Sequence, residues 1–102
     1  MSIFLILLAA GNSERLRSGV PKPYYKVNNK SLLEYSLNTF KKFDKIKKIF
    51  VVYNKKHSKY MKKINLKNTI KIVGGNSRQE STLIALKKIN KMNCTKVIIH
   101  DS

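Results

Sequence analysis

The run Ile3–Ala9, IFLILLA, carries no polar residue at either parity. Successive side chains of a strand point to opposite faces, so a strand that is apolar at every position must be covered on both. This points to a parallel sheet with helices packed on its faces rather than a sheet with one face in water.

The rest of the chain alternates to match. The spacing predicts a helix over Ser31–Phe43, with Leu32, Leu33, Ser36, Leu37 and Phe40 on one face. Strands are expected at Lys47–Tyr53, Thr69–Val73 and Thr95–His100. A short, weaker helix is expected over Lys56–Ile64. A longer one is expected over Ser77–Lys91, with Leu83, Ile84, Ile89 and, less so, Leu86 turned inward. Ser31 with Glu34, and Ser77 with Glu80, have the spacing of a capping box. The resulting order, βαβαβαβ, implies parallel strands joined by crossover helices in one domain, without repeat or linker. The sequence ends just after the fourth strand, at VIIHDS. Because ligands of such sheets bind at the carboxyl ends of strands, the chain is expected to be the N-terminal part of a longer protein, or a shortened product.

The net charge is +17, from 22 basic and 5 acidic residues. Such a balance raises nucleic acid, an anionic membrane surface or a phosphorylated substrate as partners. Only Arg15, Arg17 and Arg78 are arginine, however, and the lysines are spread along the chain without interleaved aromatics. That argues against a nucleic-acid reader and for solvated lysines. The apolar opening is too short to span a bilayer and lacks a basic region before it, so a cytoplasmic protein is expected. The single cysteine, Cys94, excludes an internal disulfide and reads as a small, half-buried residue.

The first strand runs into LAAGNSERLRSGVPKPYYKV, Leu8–Val27. Ala9, Ala10 and Gly11 leave the backbone bare, so its N–H groups can converge on phosphate oxygens. The spacing is neither that of a Walker A loop nor G-x-G-x-x-G. Arg15 and Lys22 can reach over this loop and neutralise phosphate charge, the main task in nucleotidyl transfer. Pro21 fixes the backbone just before Lys22.

A second constellation follows the third strand, VGGNSRQESTLIAL. Gly74 and Gly75 bare backbone groups that can read a base edge or a sugar, and Ser81 lies one turn into the next helix. Arg78 opposes the helix dipole, so it is expected to have a partner, either an anion or a carboxylate. A third element is His100-Asp101-Ser102. Asp101 suits Mg²⁺ or a ribose hydroxyl. His100 is expected to be structural and hydrogen-bonded to nearby backbone, and His57 to lie in solvent.

Together these elements resemble nucleotide-sugar pyrophosphorylases in L-A-A-G-x-x-x-R-[ML]…P-K, matched by Leu8, Ala9, Ala10, Gly11, Arg15, Leu16, Pro21 and Lys22. With G-G-x-x-R-x-x-S at Gly74, Gly75, Arg78 and Ser81, and with His100-Asp101, the chain is similar to the cytidylyltransferases that act on methylerythritol phosphate in non-mevalonate isoprenoid synthesis. The resemblance reaches about the first half of that family's domain. It implies a Rossmann-like α/β three-layer sandwich of the nucleotide-diphospho-sugar transferase type, with a mostly parallel sheet.

By position, the resemblance implies that Arg15 and Lys22 are catalytic, acting at the α-phosphorus of CTP. The loop Ala9, Ala10, Gly11, Asn12, Ser13 to Arg15 would hold the triphosphate. Gly75, Asn76 and Ser81 would contact cytidine, Gly74 and Arg78 would shape that turn, and Asp101 would face ribose and metal. It further implies Mg²⁺, CTP and a small phosphorylated polyol as partners, and a homodimer for the complete protein. Pro23 and Ser102 depart from the family's usual glutamine and alanine. The family's remaining substrate-positioning residues and its dimer-building arm fall beyond residue 102. Rival readings are a ribitol phosphate cytidylyltransferase, another sugar-phosphate nucleotidyltransferase, a basic nucleic-acid-binding module and an inactive fragment.

Overall fold

The computed structural model describes residues 2–10, 20–64, 68–92 and 96–101. Four parallel strands form one sheet in the order β5-β4-β1-β6, where β1 is Ile3–Ala9, β4 Ile46–Tyr53, β5 Thr69–Val73 and β6 Lys96–Asp101. The all-apolar strand β1 lies inside the sheet, between β4 and β6. Its alternate side chains feed two separate cores. Leu5, Leu7 and Ala9 join Ile49 and Val51 of β4 on one face. Phe4, Ile6 and Leu8 join Phe50, Val52 and Ile72 on the other. Both parities are thus buried, which is why neither carries a polar residue.

Helices cover both faces. On the first, α1 (Leu32–Lys41) inserts Leu33 and Leu37, and the short α2 (Ser58–Lys62) inserts Met61. On the second, α3 (Arg78–Ile89) inserts Ala85 and Ile89. The result is a three-layer α/β sandwich on a parallel sheet, the architecture expected from the alternation of elements.

Local chemistry sets the helix starts. At α1 the Ser31 hydroxyl accepts from the Glu34 N–H at 3.1 Å, and Glu34 Oε1 accepts from the Ser31 N–H at 3.2 Å. This is the capping box in full, with Ser31 buried beneath it. At α3 only half of the expected box forms: the Ser77 hydroxyl accepts from the Glu80 N–H at 3.0 Å.

Four further details differ from the sequence reading. The region expected as one helix over 56–64 divides into a 3-10 turn, Lys55–His57, and α2. His57 is buried, not in solvent: its ring meets Tyr24 and Tyr60 edge-on at 5.8 and 6.3 Å. The inward stripe of α3 is Ser81, Ala85 and Ile89, with Ile84 partly buried against the same core; Ile84 and Ile89 are as expected, but Leu83 is 53% exposed and Leu86 also faces outward. A small hairpin, β2 (Lys26–Val27) and β3 (Lys30–Ser31), precedes α1. Its turn puts Asn28 and Asn29 at φ 53° and 67°, the pattern of a type I′ turn, which asparagine tolerates.

Candidate functional site

Parallel strands bring their carboxyl ends to one edge. Ala9 stands opposite Tyr53, Tyr53 opposite Val73, and Leu8 opposite Asp101. The carboxyl ends of β1, β5 and β6, where the segments singled out in the sequence begin, therefore lie at the same edge. Among the described residues, this edge gathers Ala9, Ala10, Gly74, Gly75, Arg78, Ser81 and Asp101. Gly11, Asn12, Ser13 and Arg15, together with Cys94, lie outside the described residues.

Gly74 sits at the tightest point. Its N–H continues the sheet by donating to Tyr53 O at 2.8 Å. A Cβ there would lie 2.7 Å from Ala10 Cβ, 2.7 Å from Ser81 Oγ and 2.9 Å from Val52 Cγ1. Glycine is required by this close approach of β5's end to β1's end and to α3. Gly75 is different, because a Cβ on it would meet only the Glu80 side chain among its nearest atoms. The Gly75 N–H donates to the buried Ser81 Oγ at 3.0 Å. Ser81 thus ties the turn to α3 from below, and Asn76 and Ser77 remain exposed at its crest.

Arg78 has a partner, as its place in the first turn of α3 demanded, and the partner is a carboxylate. Its Nε donates to Asp101 Oδ1 at 3.1 Å. The side chains are 59% and 67% exposed, so the pair lies at the surface. His100, expected to be hydrogen-bonded to backbone, is exposed, and its ring packs edge-on against Phe40 at 5.1 Å.

Lys22 begins a 3-10 turn, Lys22–Tyr24. Its side chain is exposed, while Pro21, Pro23 and Tyr24 around it are buried. Tyr24 is the residue that the sequence reading passed over. Burial, with the Tyr53 hydroxyl nearby, pushes its phenol up to about 12. Its only sequence signal is an aromatic set directly after P-K-P.

Among the described residues, no three His, Cys, Asp or Glu side chains gather as a metal cluster. No helix of the described residues is long and apolar enough to cross a membrane.

Comparison with known proteins places these features in one context. Among curated proteins, the chain is 46% identical over 102 residues to the bifunctional enzyme IspD/IspF of Pelagibacter ubique, covering all of this chain and 28% of that one. It is 43% identical over 104 residues to the 2-C-methyl-D-erythritol 4-phosphate cytidylyltransferase of Wigglesworthia glossinidia brevipalpis, covering 98% of this chain and 44% of the relative. Among solved structures, the bifunctional IspDF from Campylobacter jejuni superposes with a TM-score of 0.79 at 35% identity, over 99% of this chain and 26% of that one. The Francisella tularensis cytidylyltransferase superposes with a TM-score of 0.72 at 30% identity, over 99% and 44%. The chain therefore spans less than half the length of these relatives. Residues 3–102 match the family profile of IspD, 2-C-methyl-D-erythritol 4-phosphate cytidylyltransferase, and the chain belongs to that family.

Proposed function

We propose that this chain is the N-terminal, nucleotide-binding part of a cytoplasmic cytidylyltransferase domain. The complete enzyme, a homodimer, would join CTP to 2-C-methyl-D-erythritol 4-phosphate and release pyrophosphate. The observation that carries this reading is the meeting of Ala10, Gly74 and Ser81 at the carboxyl edge of the sheet, in a chain matched to the family over residues 3–102.

In this reading a phosphate oxygen of the polyol phosphate attacks the α-phosphorus of CTP. The bond from that phosphorus to the bridging oxygen breaks, and the electron pair leaves with pyrophosphate. The small residues Ala9, Ala10 and Gly11, with Asn12 and Ser13, admit the triphosphate. Lys22 and Arg15 place positive charge where negative charge grows on the α-phosphoryl oxygens. The Gly74-Gly75 turn with Asn76 faces the nucleoside, held in shape by Ser81 and Arg78. Asp101 is the carboxylate for Mg²⁺, which would neutralise the phosphates when bound.

The test is thermal stabilisation of the chain by CTP, UTP, ATP and GTP, each with Mg²⁺. Selective stabilisation by CTP supports the reading. A folded chain indifferent to all four nucleotides overturns the site assignment.

A further inference from the structure

Lys22 is carried on a peptide held by buried neighbours. The Tyr24 N–H donates to Pro21 O at 2.9 Å, and the Tyr25 N–H donates to Lys22 O at 3.2 Å. These two bonds close the turn around the lysine. Tyr25 O accepts from the Leu32 N–H at 3.0 Å, which joins the turn to the start of α1.

The Tyr24 ring fastens the turn to the sheet. It is 4% exposed and belongs to the core formed by Leu5, Leu7 and Val51. It stacks on Tyr60, with centroids 5.3 Å apart and planes at 18°. His57 meets it edge-on at 5.8 Å. The Tyr24 hydroxyl has no hydrogen-bond partner among the described residues. The anchoring contact is therefore made by the ring and not by the hydroxyl.

We propose that Tyr24 is a positioning residue for Lys22, with Tyr60 and His57 as its clamp. This rests on the reading of Lys22 as a phosphate-facing cation. The lysine stem is long and flexible, so its charge is useful at one place only if the backbone beneath it is fixed. Displacement by about 1 Å at a reacting centre can lose on the order of a hundredfold in rate. Tyr24 supplies the fixed point two residues away, buried from solvent.

The experiment measures two quantities on the 102-residue chain. One is Mg²⁺-CTP affinity by calorimetry. The other is the backbone order parameter of Lys22 from ¹⁵N relaxation. The variants are Tyr24→Phe, Tyr24→Leu, Tyr60→Ala, Lys22→Ala and Tyr24→Leu combined with Lys22→Ala. Lys22→Ala is expected to weaken CTP roughly tenfold, the worth of one charge-assisted hydrogen bond. Tyr24→Phe keeps the ring and is expected to match the parent in both measurements.

Tyr24→Leu is expected to lose at least about threefold in affinity and to drop the Lys22 order parameter from about 0.85 towards 0.6. In the Lys22→Ala background it should lose nothing more. Tyr60→Ala, which leaves the Tyr24 ring in place but unstacked, should shift both measurements the same way. Equal losses from Tyr24→Leu with and without Lys22, or an unchanged order parameter in Tyr24→Leu and Tyr60→Ala, would overturn the proposal. If Lys22→Ala binds CTP like the parent, the functional reading of Lys22 falls, and the order parameters alone decide whether Tyr24 fixes its backbone.

Discussion

Arg78 and Asp101 are 23 residues apart in sequence, yet the guanidinium Nε and the carboxylate Oδ1 lie 3.1 Å apart. The pair links the first turn of α3 to the last residue of β6. It places a cation at a helix start, where the dipole disfavours it, against a compensating carboxylate. Both side chains are more than half exposed, so water and salt screen the attraction.

The pair should therefore matter little to folding. A double-mutant cycle over Arg78→Ala and Asp101→Asn is expected to give a coupling of less than about 1 kcal/mol, falling further in high salt. Thermal melts at low and high ionic strength check this. A coupling of several kcal/mol would mean that the pair is a structural clasp.

The two adjacent glycines should respond differently to a methyl group. Gly74→Ala forces a Cβ against Ala10 Cβ, which cannot rotate away, and against the buried Ser81 and Val52 side chains. A loss of about 1–3 kcal/mol is expected, as for other overpacked core positions. Gly75→Ala requires only that the flexible Glu80 side chain move, so its cost should stay below about 1 kcal/mol. Urea midpoints compared at constant slope would separate the two.

The serine caps should also rank. Ser31→Ala removes a buried hydroxyl that accepts from the Glu34 N–H and donates to Glu34 Oε1 at 3.0 Å. It is expected to cost about 1–2 kcal/mol. Ser77→Ala removes one exposed acceptor and should cost roughly 0.5–1 kcal/mol. Denaturation of the two variants checks the order, and a larger loss at Ser77 would contradict it.

The sheet was legible because periodicity and burial agree. The all-apolar Ile3–Ala9 run could only sit between two layers, and the capping serines marked where α1 and α3 begin. The strand order was not legible, since apolar runs do not state their neighbours. The inward stripe of α3 was legible at Ile84 and Ile89 but misread at Leu83 and Leu86, because small residues do much of the packing there. Ser81 and Ala85 let the helix approach the sheet, and the larger Leu83 and Leu86 are left outside. His57 was misread because its lysine neighbours suggest solvent, whereas the Tyr24 and Tyr60 rings that enclose it are remote in sequence or outweighed locally. The asparagine pair of the hairpin was a readable signal, since consecutive asparagines suit two residues at positive φ. At the candidate site, the residue types that favour phosphate or sugar contact could be read one by one. Ser81's bond to the Gly75 N–H and the Arg78–Asp101 ion pair required the fold.

Alkaline stability should report on Tyr24. Burial raises its phenol from the ordinary 10.0 to about 12 in the folded chain. The folded state therefore holds the proton more tightly than the unfolded state. The stability linked to this group is fully present below about pH 10 and is lost as pH rises through about 12. The total is up to about 3 kcal/mol, at roughly 1.4 kcal/mol for each pH unit between the two values. The diagnostic quantity is the difference between the parent and Tyr24→Phe. Below pH 10 the variant should be as stable as the parent or slightly more so, because it removes a buried hydroxyl without a hydrogen-bond partner among the described residues. Between pH 10 and 12 the parent should lose stability faster than the variant. Melting curves at pH 9 and pH 11.5 test this: parallel losses in the two proteins would show that the Tyr24 hydroxyl is solvated.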